Sequence, residues 1–491
     1  MNGKVTIDRL FTRVPGFDEI LGGGLPEFSF NLIGGPPGCG KTTLAHQIMF
    51  ALATPAQPAL YLTVLGEPPL KMLRYQQQFS FFDVDAVGQS VHFANVSQEA
   101  STGDLDEVLK RIVAEVERLK PAFVFVDSFR SVIRSVAGQP TAESTQQLFV
   151  QQLGMLLTAW RATTFMIGEY PDELEANPVM TVCDGLIWMR QSVERNSMVR
   201  KMQILKMRGQ PNIPGLHTFR ISHDGIEVFA PAVKSTSTDA PDAFLQGPPL
   251  SIGIAGVDEM LGGGLPRGFS ILVAGPSGSG KSIMAAQFLA EGARIGEKGV
   301  FAAFEQRPSR TRNATVAGLI ARGSVGMVDS RAADLSIDET LRLLITEIDR
   351  VKATRVVIDS LSGFELALAP TFRQDFRESL FRMLTALTEA GVSVLMTSEL
   401  EDRYTDLRFS PYGTAFLTDV IIVQRYIEVE SRLRRVIAVV KVRGSNHSNE
   451  LREYTIDADG LHVGQMLPEQ EGLLGGRPTK KREPPSTNGP S

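Results

Sequence analysis

One pattern occurs twice in this 491-residue chain: glycine, four residues, glycine, lysine, then serine or threonine. The first copy is Gly35-Pro-Pro-Gly-Cys-Gly-Lys41-Thr42-Thr43 and the second is Gly275-Pro-Ser-Gly-Ser-Gly-Lys281-Ser282, 240 positions later. It is the pattern of a phosphate-binding loop. Gly35, Gly38 and Gly40, like Gly275, Gly278 and Gly280, leave room for backbone N–H groups to curl round phosphate oxygens. Lys41 and Lys281 supply a mobile ammonium for the outer phosphates. The hydroxyls of Thr42 and Ser282 can ligate Mg²⁺, with Thr43 following in the first copy. About 0.03 chance matches are expected in a chain of ordinary composition, so two copies are a design of the chain. Each loop requires a buried strand before it and a helix after it, and this fixes a strand–loop–helix unit in each half.

The repeat extends beyond the loops. Val14-Pro-Gly-Phe-Asp-Glu-Ile-Leu-Gly-Gly-Gly-Leu-Pro26 returns as Ile254-Ala-Gly-Val-Asp-Glu-Met-Leu-Gly-Gly-Gly-Leu-Pro266. Each loop is followed by an apolar helix face, Leu44, Ile48 and Leu52 in one half and Met284 and Phe288 in the other. A second strand follows in each half (59–65 and 299–304), then an amphipathic helix. Those helices begin at Asp104 with Glu107, a capping-box-like start, and at the matching Ser336 with Glu339. Each helix feeds an apolar strand, Phe123–Val126 and Val356–Ile358, that ends in Asp-Ser. Asp127 and Asp359 are therefore candidate Mg²⁺ carboxylates. Near-continuous apolar strands alternating with helices predict two tandem α/β domains, each a doubly wound, mainly parallel sheet. The segments 185–189, 202–206 and 217–221 read as added antiparallel strands. The domains are expected at 1–232 and 250–464, with a Pro- and Ser/Thr-rich linker at 233–249 and a disordered tail at 465–491.

Composition restricts the function classes. Hydrophobic residues make up 43% and charged residues 21%, ordinary for a globular protein. The net charge of −5 gives no overall basic field, and no nucleic-acid module is recognisable, which argues against a nucleic-acid partner. Two cysteines, Cys39 and Cys183, exclude a disulfide framework. The N-terminus has no apolar signal core and no apolar run reaches a membrane-spanning length, so a cytoplasmic protein is expected. Neither loop reads G-x-G-x-x-G, which sets aside a dinucleotide-binding oxidoreductase.

The paired loops, the Asp-Glu-[Ile/Met]-Leu-Gly-Gly-Gly-Leu-Pro signatures, and Lys206-Met-Arg208-Gly209 with Lys441-Val-Arg443-Gly444 resemble the KaiC-like branch of the RecA-type ATPases. The resemblance spans nearly all of the folded chain. It implies two RecA-like domains, a two-tiered homo-hexamer, ATP with Mg²⁺ between neighbouring subunits, and signalling partners of unknown identity. It also implies that Lys206, Arg208, Lys441 and Arg443 reach the γ-phosphate of the adjacent subunit, an arginine-finger arrangement. Period-two spacing puts each cation pair on one strand face, with Leu205 and Met207, or Val440 and Val442, turned to the core.

In this family a glutamate after the second strand orients the attacking water. Glu305, followed by Gln306, keeps that place in the second half. Aligning Leu65 with Phe304 puts Gly66 at the corresponding position in the first half and leaves only Glu67 nearby. The expectation is ATP hydrolysis mainly in the second domain. The clock protein of the family also phosphorylates itself on a Ser-Thr pair. The matching positions here are Ala415 and Phe416, which carry no hydroxyl, with Thr414 and Thr418 nearby. Two alternatives stay open: a shifted-site serine/threonine autokinase, and a RecA-like DNA-binding ATPase.

Overall fold

The computed structural model describes residues 7–64, 69–101, 104–128, 142–170, 178–194, 197–231, 247–304, 314–329, 335–373, 376–400, 416–429, 431–466, 470–471 and 479–480. The chain divides into two compact units, Met1–Pro231 and Ala232–Ser491.

The first unit opens with a short antiparallel pair, β1 (Arg9–Leu10) and β2 (Leu25–Pro26). Its main sheet has nine strands: β3 (Phe30–Gly35), β4 (Ala59–Thr63), β5 (Val91–Asn95), β6 (Phe123–Asp127), β7 (Thr163–Glu169), β8 (Gly185–Glu194), β9 (Ser197–Met207), β10 (His217–Ser222) and β11 (Gly225–Phe229). They lie in the order β11-β10-β9-β8-β3-β7-β6-β4-β5. The second unit repeats this nine strands later: β12 (Ser270–Gly275), β13 (Gly299–Ala303), β14 (Val325–Asp329), β15 (Arg355–Asp359), β16 (Ser393–Glu399), β17 (Val420–Val429), β18 (Arg432–Val442), β19 (Arg452–Ile456) and β20 (Leu461–Met466). Their order is β14-β13-β15-β16-β12-β17-β18-β19-β20, the same arrangement read from the other edge.

The parallel strands are buried on both faces because successive residues enter different cores. Leu32, Leu60, Leu62, Val124 and Val126 face one apolar cluster, packed by the helix Leu105–Leu119. Ile33, Ala59, Tyr61, Phe123 and Phe125 face the other, packed by the helix Lys41–Leu52 through Leu44 and Ile48. Two layers of helix on one sheet are the stable answer to strands with no polar side. The helix starts follow the sequence. Asp104 accepts from the N–H groups of Asp106 and Glu107, and Ser336 forms a complete capping box with Glu339.

The structure corrects three expectations. First, β8, which holds the first of the three segments expected to be antiparallel, runs parallel to β3; antiparallel pairing begins only at β9. The chain crosses back after β7 before entering the sheet, so β8 starts at the same end as β3. Second, Leu205 does not share the core face of Met207. A register shift between Leu186 and Ile187 leaves Leu205 as an extra, exposed residue, while Met207 packs against the core. The same bulge recurs at Ile421/Ile422, where Val440 and Val442 pack against opposite faces. One inserted residue reverses the alternation on which a period-two reading depends.

The third correction concerns the alignment of Leu65 with Phe304. Thr63 lies opposite Asp127 as Ala303 lies opposite Asp359, so Val64 corresponds to Phe304. The position matching Glu305 is thus Leu65, not Gly66; neither residue is a carboxylic acid. Leu65, Gly66, Glu67, Glu305 and Gln306 themselves lie outside the described residues, as do Thr414, Ala415, residues 232–246 and most of the tail.

Candidate functional site

Each phosphate loop begins at the C-terminal end of the central strand of its sheet. Gly38 and Gly40 have φ of 75° and 105°, and Gly278 and Gly280 repeat this with 76° and 101°. These left-handed values turn consecutive N–H groups toward one concave side. The loop is also crowded from beneath: a Cβ on Gly35 would lie 2.0 Å from the carbonyl oxygen of Met189. Helices start directly at Lys41 and Lys281, with no side chain capping either N-terminus, so their first N–H groups are aimed at the loop. Thr43 lies in the first turn, after Thr42. Lys41 is buried, and its Nζ donates to the carbonyl oxygen of Pro36 at 2.8 Å; Lys281 Nζ donates to Gly275 and Pro276, each at 2.8 Å. Burial lowers the pKa of Lys281, opposed by the nearby charges of Glu399 and Asp359.

In the first domain, Thr42 and Asp127 come together: Thr42 Oγ1 donates to Asp127 Oδ2 at 2.9 Å. Tyr61, unremarked in the sequence, donates its hydroxyl to the same oxygen at 2.7 Å. Burial raises the Asp127 pKa, against the hydrogen bonds of Tyr61 and Thr42 and the charge of Lys41. Tyr61 stacks on His46 at 4.6 Å, and His46 Nδ1 donates to the Thr42 carbonyl at 2.8 Å. Burial lowers the His46 pKa to about 4. The matching positions in the second domain are Phe301 and Ala286, and Asp359 accepts instead from the hydroxyl of Thr397. Asp127-Ser128 and Asp359-Ser360 are both cis.

Mg²⁺ is the cation this chemistry implies, and the donors fit it. Among the described residues no three His, Cys, Asp or Glu side chains converge. What each site offers is one carboxylate beside the loop (Asp127 or Asp359) and one hydroxyl at the helix start (Thr42 or Ser282). That is a suitable set for a hard cation that keeps water and takes phosphate oxygens as its other ligands. Bound there, the ion would neutralise charge on the β- and γ-phosphates.

The Lys-x-Arg cations lie elsewhere. Lys206 Nζ donates to the carbonyls of Met180 (3.3 Å) and Thr181 (3.0 Å). Arg208 pairs with Asp184 at 3.1 Å and also donates to Thr181. Lys441 donates to the Thr418 carbonyl at 2.6 Å, and Arg443 pairs with Asp419 at 3.0 Å. Burial and the charge of Arg443 lower the Lys441 pKa. Asp184 also accepts from the N–H of Phe30, at the start of β3. The cations therefore lie near the N-terminal end of the central strand, and the phosphate loop lies at its C-terminal end. Five residue steps of strand separate Phe30 from Gly35, roughly 17 Å. Neither pair is brought to its own domain's loop.

The glycine signature has a structural role. Asp18 accepts from the N–H of Thr12 (2.8 Å) and Arg13 (3.0 Å), and Asp258 accepts from Ile252 N–H (2.7 Å). Sequence reading missed two further residues, Glu169 and Glu399. Each ends the strand between the loop strand and the aspartate strand, and lies opposite Gly35 or Gly275. Their signal is the repeat itself, a β-rich run closing on Glu at matching places in both halves. Phe416 is exposed under the guanidinium of Arg377 at 4.1 Å, whereas Thr418 is buried.

Two tandem α/β domains, each with a phosphate loop at the C-terminal end of its central strand and an acidic strand end two places away, define a tandem P-loop ATPase fold. The chain belongs to the KaiC ATPase family: the family described as "ATPase: KaiC" matches residues 10–233 and again 250–467. It is 26% identical to the "Circadian clock oscillator protein KaiC" of Picosynechococcus sp., covering 98% of this chain and 94% of that protein. Identity is 27% with the same-named protein of Rippkaea orientalis and with "Circadian clock oscillator protein KaiC 1" of Synechocystis sp.; each match covers 96% of this chain and 92% of the relative. Among the described residues no helix is long and apolar enough to cross a membrane.

Proposed function

We propose that this protein is an ATP-hydrolysing signalling or timing protein that works as a homo-hexameric ring, with ATP and Mg²⁺ held between subunits. The observation that carries this reading is the separation of loop and cations. Lys206 and Arg208 lie at the far end of the sheet from Gly35–Thr43, as Lys441 and Arg443 do from Gly275–Ser282. Neither pair reaches the γ-phosphate of its own domain, and in a ring a neighbouring copy brings one there, where charge shifts as the phosphoryl group departs. Hydrolysis belongs mainly to the second domain, where Glu305 has the water-orienting position. In the first domain Leu65 takes that place, with Glu67 two residues on. Lys41 and Lys281 hold the outer phosphates. Cytoplasmic residence follows from this reading. Autophosphorylation is not part of it: the acceptor positions are Ala415 and Phe416, and the Thr418 hydroxyl is buried.

Mixed subunits test the proposal. One variant lacks both lysines of the loops (Lys41→Ala with Lys281→Ala). The other lacks the distal cations (Lys206→Ala, Arg208→Ala, Lys441→Ala and Arg443→Ala). Each alone should lose at least about a hundredfold of phosphate release, and mixed rings should regain a measurable part. No recovery in rings shown to contain both variants would mean that each subunit completes its own sites.

A further inference from the structure

The first domain has no carboxylate at the Leu65 position, yet it has an acidic residue fixed beside its phosphate loop. Glu169 ends β7, the strand lying between the loop strand β3 and the aspartate strand β6. Its register partner is Gly35, the first residue of the loop, while Ile167, two residues earlier, is opposite Asp127. The following residue fastens the backbone: Tyr170 N–H donates to the Gly35 carbonyl at 3.1 Å, and the Tyr170 ring is fully buried against Trp188. Glu169 itself is exposed at this edge, and its charge is felt by Asp127. Glu399 repeats the placement opposite Gly275, with Leu400 N–H donating to the Gly275 carbonyl at 3.1 Å.

We propose that Glu169 is the carboxylate that orients the attacking water in the first domain, a catalytic residue carried by β7 and not by the segment after β4 that matches the place of Glu305. The inference rests on the ATPase reading above. A water held by Glu169 forms its bond to the γ-phosphorus as the bond to the β–γ bridging oxygen breaks. The bridging oxygen leaves with ADP and keeps the electron pair. The water proton passes to the Glu169 carboxylate and from there to solvent, so ATP and water yield ADP, orthophosphate and a proton. Its place between Gly35 and Asp127 suits this step: one neighbour cradles the phosphates and the other is the candidate cation ligand. The two domains would then use carboxylates from opposite sides of the aspartate strand.

The test uses the full chain. Glu305→Gln silences the second domain, and the residual phosphate release is attributed to the first. Adding Glu169→Gln should reduce that residue about a hundredfold, the usual worth of a positioned base. Adding Glu169→Asp instead should retain part of it. Affinity for a fluorescent ATP analogue is read in chains carrying Lys281→Ala, so that the first site alone reports. It should change less than about twofold with Glu169→Gln, which a merely structural role would not allow. The proposal is overturned if the double variant releases phosphate as fast as Glu305→Gln, if Glu305→Gln alone abolishes release, or if affinity falls in step with turnover. A wild-type chain that releases no phosphate would remove the ATPase reading and this proposal together.

Discussion

At Gly35 the constraint is steric and severe. Its φ is 148°, and an added Cβ would press within 2.0 Å of a backbone oxygen that cannot retreat. Gly35→Ala should cost the first domain about 3 kcal/mol. Gly88→Ala, at a φ of 84° with nothing within 4 Å, should cost about 1 kcal/mol, the conformational part alone. Denaturant unfolding followed by hydrogen exchange of first-domain amides measures both; equal losses would mean that the close approach to Met189 carries no weight. Residues of this kind were legible in the sequence, because a phosphate loop tolerates few side chains and writes its glycines and lysine in fixed order. Tyr61 was not. Its sequence neighbours read as one more buried strand, and only the sheet order shows that its hydroxyl reaches Asp127 from the adjacent strand, where Tyr61 lies opposite Phe125, two residues before that carboxylate.

At the scale of elements, the two halves keep one sheet order but are tied together differently. In the second domain Arg355, at the start of β15, is 1% exposed. Its guanidinium pairs with Glu297 at 2.6 Å, donates to the carbonyls of Ser251 (2.9 Å) and Phe288 (2.8 Å), and lies over the Phe288 ring. The matching residue in the first domain is Phe123. Arg355→Ala should destabilise the second domain by about 3–5 kcal/mol, since it leaves Glu297 with Arg267 as its remaining partner and takes a donor from the carbonyls of Ser251 and Phe288. Arg355→Phe should recover part of that, and thermal unfolding compares the two. The clamp also sets a pH dependence. Burial works to raise the Glu297 pKa, but Arg355 and Arg267 together outweigh it and hold the carboxyl below its usual range. A depressed carboxylate stabilises the fold above its unfolded pKa, and that contribution is lost as pH falls through the folded value. The second domain should therefore weaken below about pH 4.5, and less steeply in Arg355→Ala. Helix caps and buried strands at this scale were plain in the sequence. The parallel entry of β8, the bulges and the one-residue offset at Val64 were not, because hydrophobic periodicity carries no information on strand direction and loses count at an insertion.

For the whole molecule, the chain carries two nucleotide cradles, each with its own domain's Lys-x-Arg cations at the opposite end of the sheet. The expected behaviour is assembly that depends on nucleotide. Light scattering after size-exclusion chromatography should give a hexamer with ATP and smaller species without it, and Lys41→Ala or Lys281→Ala should shift the balance toward the smaller species. A monomer with undiminished phosphate release would end the shared-site reading. The duplicated plan was visible from the first repeat, and so was the family, because loop, glycine signature and Lys-x-Arg motif recur together. The position of the cations was not visible: it depends on which end of the sheet β9 and β18 finish, a question of topology.

The extra residue at Leu205 returns as Val440 at the same point of the same strand, immediately before the lysine. The halves have diverged around it, Lys-Met-Arg in one and Lys-Val-Arg in the other. An insertion shared at one register by two copies is most simply older than the copying. The bulge thus belongs to the plan that both domains share, and with it the placing of each Lys-x-Arg pair at the end of the sheet away from its own loop.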